Sequence, residues 1–232
     1  MIFVHIGAGV GDLDPSTNFR DGFSEYVKKI KSHEKKIFVV EANPKNIEKL
    51  KVCWKNYKYV KIFNLAVTPN DYLKENMVFY YSEDDKPNYQ LLSHDKNHVK
   101  YYFPNSEIKE IKIQTIKIGD FLKNNFLNLK IDSFSIDAEG LDYKIFMDID
   151  LKKFDIYQFS IEFFHLNKEQ KKNIVKKFIE NGYSYNGFGL DHNNLDWLFI
   201  KKKFFWKNFI SKLLPYIHRK HYKRLNKLIG SI

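Results

Sequence analysis

"MIFVHIGAGVGD", residues 1–12, sets an apolar run against three glycines at alternate positions, Gly7, Gly9 and Gly11, with Asp12 one residue on. Residues 2–7, "IFVHIG", read as a strand buried on both faces, the habit of a parallel sheet. The glycines permit positive φ and let a ligand pack on backbone where a Cβ would clash. A second apolar run, "KIFVVEA" (36–42), ends in an acid, Glu41, and "YVKIFNLAV" (59–67) reads as a third strand. Between them, "FRDGFSEYVKKIKS" (19–32) has helical spacing, and "NPKNIEKLKVCWKN" (43–56) opens with Asn43 as N-cap and Pro44 in the first turn. Strand, helix, strand, helix, strand predicts a doubly wound α/β fold.

The chain beyond is less regular at first. "MVFYYS" (77–82) and "IKEIKIQTIKI" (108–118) read as strands, with a polar stretch at 83–106 that is too long for a hairpin. Helix "IGDFLKNNF", strand "DSFSIDAEG", short helix "LDYKIFMDI" and a buried strand at 154–163 follow. A helix capped by Asn167 stops at Gly182, and "YSYNGFG" with "LDWLFIKK" carries the signature of an antiparallel pair.

Open parallel sheets bind ligands outside the carboxyl ends of their strands. The glycine loop lies there. Glu41 ends the second strand, placed to accept the hydroxyls of a ribose; Asp137 and Glu139 end the fourth parallel strand and Glu162 the fifth. The dinucleotide pattern G-x-G-x-x-G fails, because Asp12 stands where the third glycine belongs, and no Gly-Lys-Ser/Thr completes a phosphate loop. G-x-G-x-G followed by an acid suits S-adenosylmethionine, which has no phosphate and carries a sulfonium that acids and carbonyls would favour.

These residues resemble the FkbM-type S-adenosylmethionine-dependent methyltransferases. "VHIGAGVGD", "VVEANPKNIEKLK", "NLAVTP", "IKIQTIKIGDFL" and "FSIDAEGLDYKIF" stand in the family's order over residues 2–147, and "SIEF" with "LDWLFI" extends the likeness to about residue 200. The resemblance implies the class I methyltransferase fold, a Rossmann-like, doubly wound, mostly parallel sheet with an antiparallel last strand. It also implies S-adenosylmethionine as cofactor and O-methylation, often of sugars or polyketide-like acceptors. His5 departs from the pattern, standing where the family has the first acid of D-x-G-x-G-x-G. The stretch 12–22 is longer than usual. The donor candidates are then His5, Gly7, Ala8, Gly9, Gly11, Glu41, Ala42, Asn64, Ala66 and Asp137, with Asn64 and Ala66 near the adenine.

Methyl transfer to a hydroxyl needs in-line geometry and removal of the hydroxyl proton. The catalytic candidates are Asp137, Glu139, Glu162 and His165, and His192 in "GLDHNN" is a further histidine within reach of the same edge. Glu162 either orients His165 or takes the proton itself, so the base stays open. Ser93 and His94 read as part of a solvated loop. Asp137, Glu139 and Glu162 are also an oxygen set for Mg²⁺ or Ca²⁺, but a cationic cofactor explains the same acids, and no metal is expected.

The net charge of +11 is unevenly placed. Ten of the 39 Lys and Arg lie in residues 201–232, which hold no acid, so residues 1–200 carry 29 bases against 28 acids. The chain thus divides into a methyltransferase domain (1–200) and a basic amphipathic helical tail (201–232). In the tail, Phe205, Phe209, Leu213 and Ile217 form an apolar stripe, broken by Pro215. Two readings of it stand level: peripheral contact with an anionic membrane, or docking on the domain or on a twin subunit of a homo-oligomer. Nucleic acid is disfavoured by the neutral body. A lone cysteine, Cys53, excludes an intrachain disulfide. With no apolar run of about 20 residues and no basic leader before the glycine loop, the expected place is the cytoplasm, peripheral to the inner face of the membrane if the tail binds there. The expected function is O-methylation of a sugar hydroxyl in a surface glycan. The rivals are a small non-sugar acceptor, polyketide or peptide, and a non-catalytic docking module.

Overall fold

The computed structural model describes residues 1–12, 21–32, 34–190 and 196–202. Its elements in chain order are β1 (Ile2–Ile6), α1 (Gly22–Lys29), β2 (Lys36–Val40), α2 (Ile47–Trp54), β3 (Tyr59–Phe63), β4 (Ala66–Thr68), β5 (Asn76–Ser82), α3 (Lys96–Tyr102), β6 (Ile108–Lys117), α4 (Ile118–Phe126), β7 (Lys130–Ile131), β8 (Ser133–Ile136), α5 (Asp142–Met147), β9 (Asp155–Ile156), β10 (Gln158–Glu162), α6 (Lys168–Glu180), β11 (Tyr183–Phe188) and β12 (Asp196–Lys201). Seven strands form the central sheet in the order β11-β12-β10-β8-β1-β2-β3. The neighbours from β10 to β3 are parallel, and β12, the last strand in sequence, runs antiparallel to both β10 and β11.

Alternation along the strands decides the layers. Ile2, Val4 and Ile6 of β1 join Phe38 and Val40 of β2 in a core with α4, α5 and α6. Phe3 joins Ile37 and Val39 on the opposite face, against Phe23 and Val27 of α1 and Leu50 and Trp54 of α2. A period of two places successive side chains on opposite faces, and both faces must be apolar when helices cover both. Phe178 lies fully buried and stacks on Phe199, ring centroids 4.0 Å apart; truncating such a ring to Ala costs about 3–5 kcal/mol. The helix that carries it is closed at its start by a reciprocal capping box between Asn167 and Gln170.

Two expectations need correction. Residues 59–67 are two strands, not one. Asn64 donates its amide to the carbonyls of Glu41 (2.9 Å) and Ala42 (3.1 Å). The chain leaves the sheet edge there, and β4 pairs with β6 in a separate sheet ordered β4-β6-β5. Nor is 83–106 a solvated loop. It holds α3, and Ser93 is buried, bridging Tyr80 through both backbone groups. β5 and β6 pair antiparallel despite the long connection between them, because the connection itself packs back onto the domain. Residues 203–232, and with them the apolar stripe of the tail, lie outside the described residues, as does His192.

Candidate active site

Register puts the site in one row. Ile6 pairs with Val40 on one side and Ile136 on the other, Val40 with Phe63, and Ile136 with Ile161. The next residue along each strand therefore lines up across the sheet as Asn64, Glu41, Gly7, Asp137 and Glu162. β12, running the other way, adds Asp196 opposite Glu162.

Gly7 has φ +78°, and a Cβ there would lie 1.5 Å from the carbonyl oxygen of Asp137. Its N–H and that of Ala8 both donate to the Val40 carbonyl (2.9 and 3.0 Å). Gly9 differs: at φ +53°, a Cβ would meet nothing within 4 Å, so its surroundings are open space. Glu41 is buried. Its Oε2 accepts from the Gly9 N–H (2.7 Å) and its Oε1 from the Asn43 N–H (2.6 Å). Burial raises its carboxyl from 4.5 to about 7, against the lowering effect of those hydrogen bonds.

The loop and strand ends open onto a cavity of about 640 Å³. Of the sequence candidates, His5, Gly7, Ala8, Gly9, Glu41, Ala42, Ala66, Asp137, Glu139 and Glu162 line it. Three do not. Gly11 turns away to pack on Cys53, whose Sγ would lie 2.7 Å from an added Cβ. Asn64 instead braces the carbonyls of Glu41 and Ala42. His165 stands beside the cavity, its Nε2 3.8 Å from Glu162 Oε1. His5 is buried on the α1 face, ring centroid 4.6 Å from Phe23.

Several wall residues carry no sequence signal that separates them from ordinary surface groups. Asn46 is buried with its amide donating to the Tyr89 carbonyl (3.1 Å), while its Oδ1 has no partner among the described residues. Asp196 heads β12, and Asn88, Tyr89 and Leu92 come from the connection between β5 and α3.

Six carboxyl groups line the cavity and, among the described residues, no lysine or arginine does. Burial drives Asp137 well above its ordinary value, and Glu139, Glu162, Asp142 and Asp196 push it the same way. Glu139 rises to about 8, first through burial and then through Asp142, Asp85 and Glu41. It adopts φ +45° in the turn after β8, a left-handed conformation uncommon outside glycine. His165 is lowered, by burial and then by His98. Buried carboxyls whose pKa is raised, as those of Glu41, Asp137 and Glu139 are, suit a cationic ligand, which would restore the charged form.

The methyltransferase FkbM domain matches residues 5–185, more than three quarters of the chain. The chain belongs to that family. S-adenosylmethionine is the methyl donor of this FkbM domain. The residues present fit the donor: the cavity is acid-lined and of cofactor size, Gly9 leaves open backbone, and Asp137 Oδ1 and Asn46 Oδ1 are buried with no partner among the described residues. No match was found among curated proteins. Solved structures similar to it include fibrillarin from Aeropyrum pernix with natively bound S-adenosyl-L-methionine (11% identity, 86% of this chain, 64% of that chain, TM-score 0.41). TrmK from M. capricolum with S-adenosyl-homocysteine is another (12%, 100% and 81%, 0.40), and a precorrin-6y C5,15-methyltransferase from Geobacter metallireducens a third (11%, 87% and 80%, 0.41). The chain spans less than two thirds of the fibrillarin. At this level the family match, not these likenesses, supports the assignment. Among the described residues no helix is long and apolar enough to cross a membrane.

Proposed function

We propose that the protein transfers the methyl group of S-adenosylmethionine to a hydroxyl, that of a sugar in a surface glycan. The observation that carries this reading is the row of Glu41, Gly7, Asp137 and Glu162 at the carboxyl edge, opening on an acid-lined cavity. S-adenosylmethionine held there would supply an electrophilic methyl to the acceptor oxygen, the electron pair of the C–S bond staying with sulfur.

Glu41 would hold the ribose hydroxyls through the lone pairs its two backbone hydrogen bonds leave free, and Asn46 Oδ1 would accept a further donor hydrogen. Asp137 and Glu139 border donor and acceptor. Burial raises both, Glu139 to about 8. Glu162 ends β10 beside them and is among the groups that raise Asp137. It is the proton acceptor of the reaction: the acceptor's O–H bond breaks and the proton passes to the Glu162 carboxylate. A wall without lysine or arginine among the described residues leaves room for a neutral polyol and offers carboxyls to its hydroxyls. The basic tail (201–232) would keep the enzyme at an anionic membrane surface where lipid-linked glycans are built.

The test is methyl transfer from isotopically labelled S-adenosylmethionine to a panel of sugars, lipid-linked oligosaccharides, polyketides and peptides. The expected result is a glycan heavier by one methylene, the label on oxygen. Label confined to polyketide or peptide hydroxyls would replace the acceptor class. No S-adenosylhomocysteine binding by the full chain would overturn the methyltransferase reading and leave a docking module.

A further inference from the structure

Three side chains from well-separated segments meet beside the cavity: His98 on α3, Glu139 in the turn after β8 and His165 after β10. Each offers a ligating atom, and these atoms lie within 4.8 Å of one another. The two imidazole rings stand 4.8 Å apart, centroid to centroid, at 68°. Nε2 of His98 is buried and has no hydrogen-bond partner among the described residues. Buried polar atoms in folded proteins are nearly always paired, so one that is not calls for an explanation. Glu139 reaches this place through its left-handed φ, and Ser93 Oγ donates to its carbonyl (3.4 Å), tying the turn to the segment that leads into α3.

We propose that His98, Glu139 and His165 bind a divalent first-row transition metal ion. Two imidazoles and one carboxylate suit Zn²⁺ or Mn²⁺ better than Mg²⁺ or Ca²⁺, which take oxygen ligands. The site shares only Glu139 with the set Asp137, Glu139 and Glu162 read from the sequence. Asp137, Asp142 and Glu162 also approach within 4.8 Å of one another. Both Asp142 oxygens, however, accept backbone N–H groups, from Ala138 (2.6 Å) and Gly140 (3.1 Å), and so hold the turn together. Metal–ligand bonds of about 2.1 Å put neighbouring ligand atoms about 3.4 Å apart in a tetrahedral site. The three side chains therefore need to close by no more than about 1.4 Å on binding. Three protein ligands leave a position open, as in catalytic rather than structural sites.

Glu139 also lines the cavity, so an acceptor bound in the cavity would lie next to the ion. An acceptor hydroxyl bound there becomes more acidic, and Glu162, 3.8 Å from His165 Nε2, is at hand for the proton. The inference rests on the methyltransferase reading and sharpens it: the acceptor is a polyol, one hydroxyl of which takes the open position.

The test is metal analysis of the full chain after chelation and dialysis against Zn²⁺ or Mn²⁺, with Co²⁺ as a visible-absorption probe. S-adenosylhomocysteine titration runs in parallel. One ion per chain is expected, bound at least about tenfold more weakly in His98→Ala and His165→Ala, with S-adenosylhomocysteine binding unchanged in both. His98→Asn, of similar polarity, should lose metal too, so a misfolded alanine variant does not decide the matter. Wild type that binds S-adenosylhomocysteine but retains no ion overturns the metal site alone. So do variants that bind metal as wild type does. Failure to bind S-adenosylhomocysteine would fall instead on the methyltransferase reading.

Discussion

The two halves of the sheet edge are built differently. At β1 and β2, the donor half is made from residues within about one βαβ unit, wired by backbone: Gly7 and Ala8 N–H to Val40, Gly9 N–H to Glu41. At β8 and β10, the proposed acceptor half gathers Glu139, Glu162, His165, Ser93 and His98 from segments spread over residues 93–165, joined by side chains at longer range. A cradle made of main chain tolerates little change at its glycines. A cluster made of side chains tolerates substitution structurally but not chemically.

The sharpest way to break this contrast is Gly7→Ala. With a Cβ 1.5 Å from the Asp137 carbonyl oxygen and φ +78°, the loop cannot close, and a loss above about 4 kcal/mol is expected. Thermal melts and S-adenosylhomocysteine titration would both show it. Gly9→Ala is the control: its Cβ meets open space, so only the left-handed strain of about 1–2 kcal/mol applies to folding, while donor binding weakens. Equal damage from the two would mean that the close approach at Gly7 is not what the fold depends on.

On the acceptor side, Glu162→Gln should leave S-adenosylhomocysteine affinity unchanged and lower turnover about 10²–10⁴-fold, the span of a lost general base. Undiminished turnover would remove Glu162 from the chemistry.

Third comes pH. Folding raises Glu41 to about 7 from 4.5, so the folded donor-free protein binds that proton more tightly than the unfolded chain. Its stabilising contribution is therefore complete below about 4.5 and is lost as pH rises through about 7. The loss is on the order of 3 kcal/mol. Urea melts across this window should fall with pH in wild type and fall less in Glu41→Gln; parallel slopes would show that Glu41 is not the titrating group. Glu139, at about 8, extends the decline at the alkaline end in both proteins.

The smallest effect is that of Asn46→Ala. Losing one neutral hydrogen bond to the donor costs about 1 kcal/mol, roughly fivefold in S-adenosylhomocysteine affinity. A titration that shows no change would place Oδ1 outside the donor contacts.

The donor half was legible because its signals are local: glycines at alternate positions, an apolar strand before them, an acid closing the next strand. The same locality let the caps at Asn43 and Asn167 and the stop at Gly182 be read directly. What was missed is non-local. Nothing near Asn64 announces that its amide reaches back to the carbonyls after β2 and so divides 59–67 between two sheets. Gly11 belongs to the same run as Gly7 and Gly9, yet packs on Cys53 of α2 rather than facing the cavity. His98 sits in a polar stretch whose composition suggests solvent, and only the packing of that stretch over the strand ends brings it to His165.

By itself the sequence determined the doubly wound sheet, its reversed last strand, and the row of acids at the carboxyl edge. Periodicity and strand-end residues are properties of neighbours along the chain. The tertiary structure alone decided which of those residues face the cavity, and it alone brought Asn46 and Asp196 to join them and His98 to His165 beside it. Those placements depend on register between strands and on the return of a long connection over the sheet, contacts between residues that the chain itself keeps far apart.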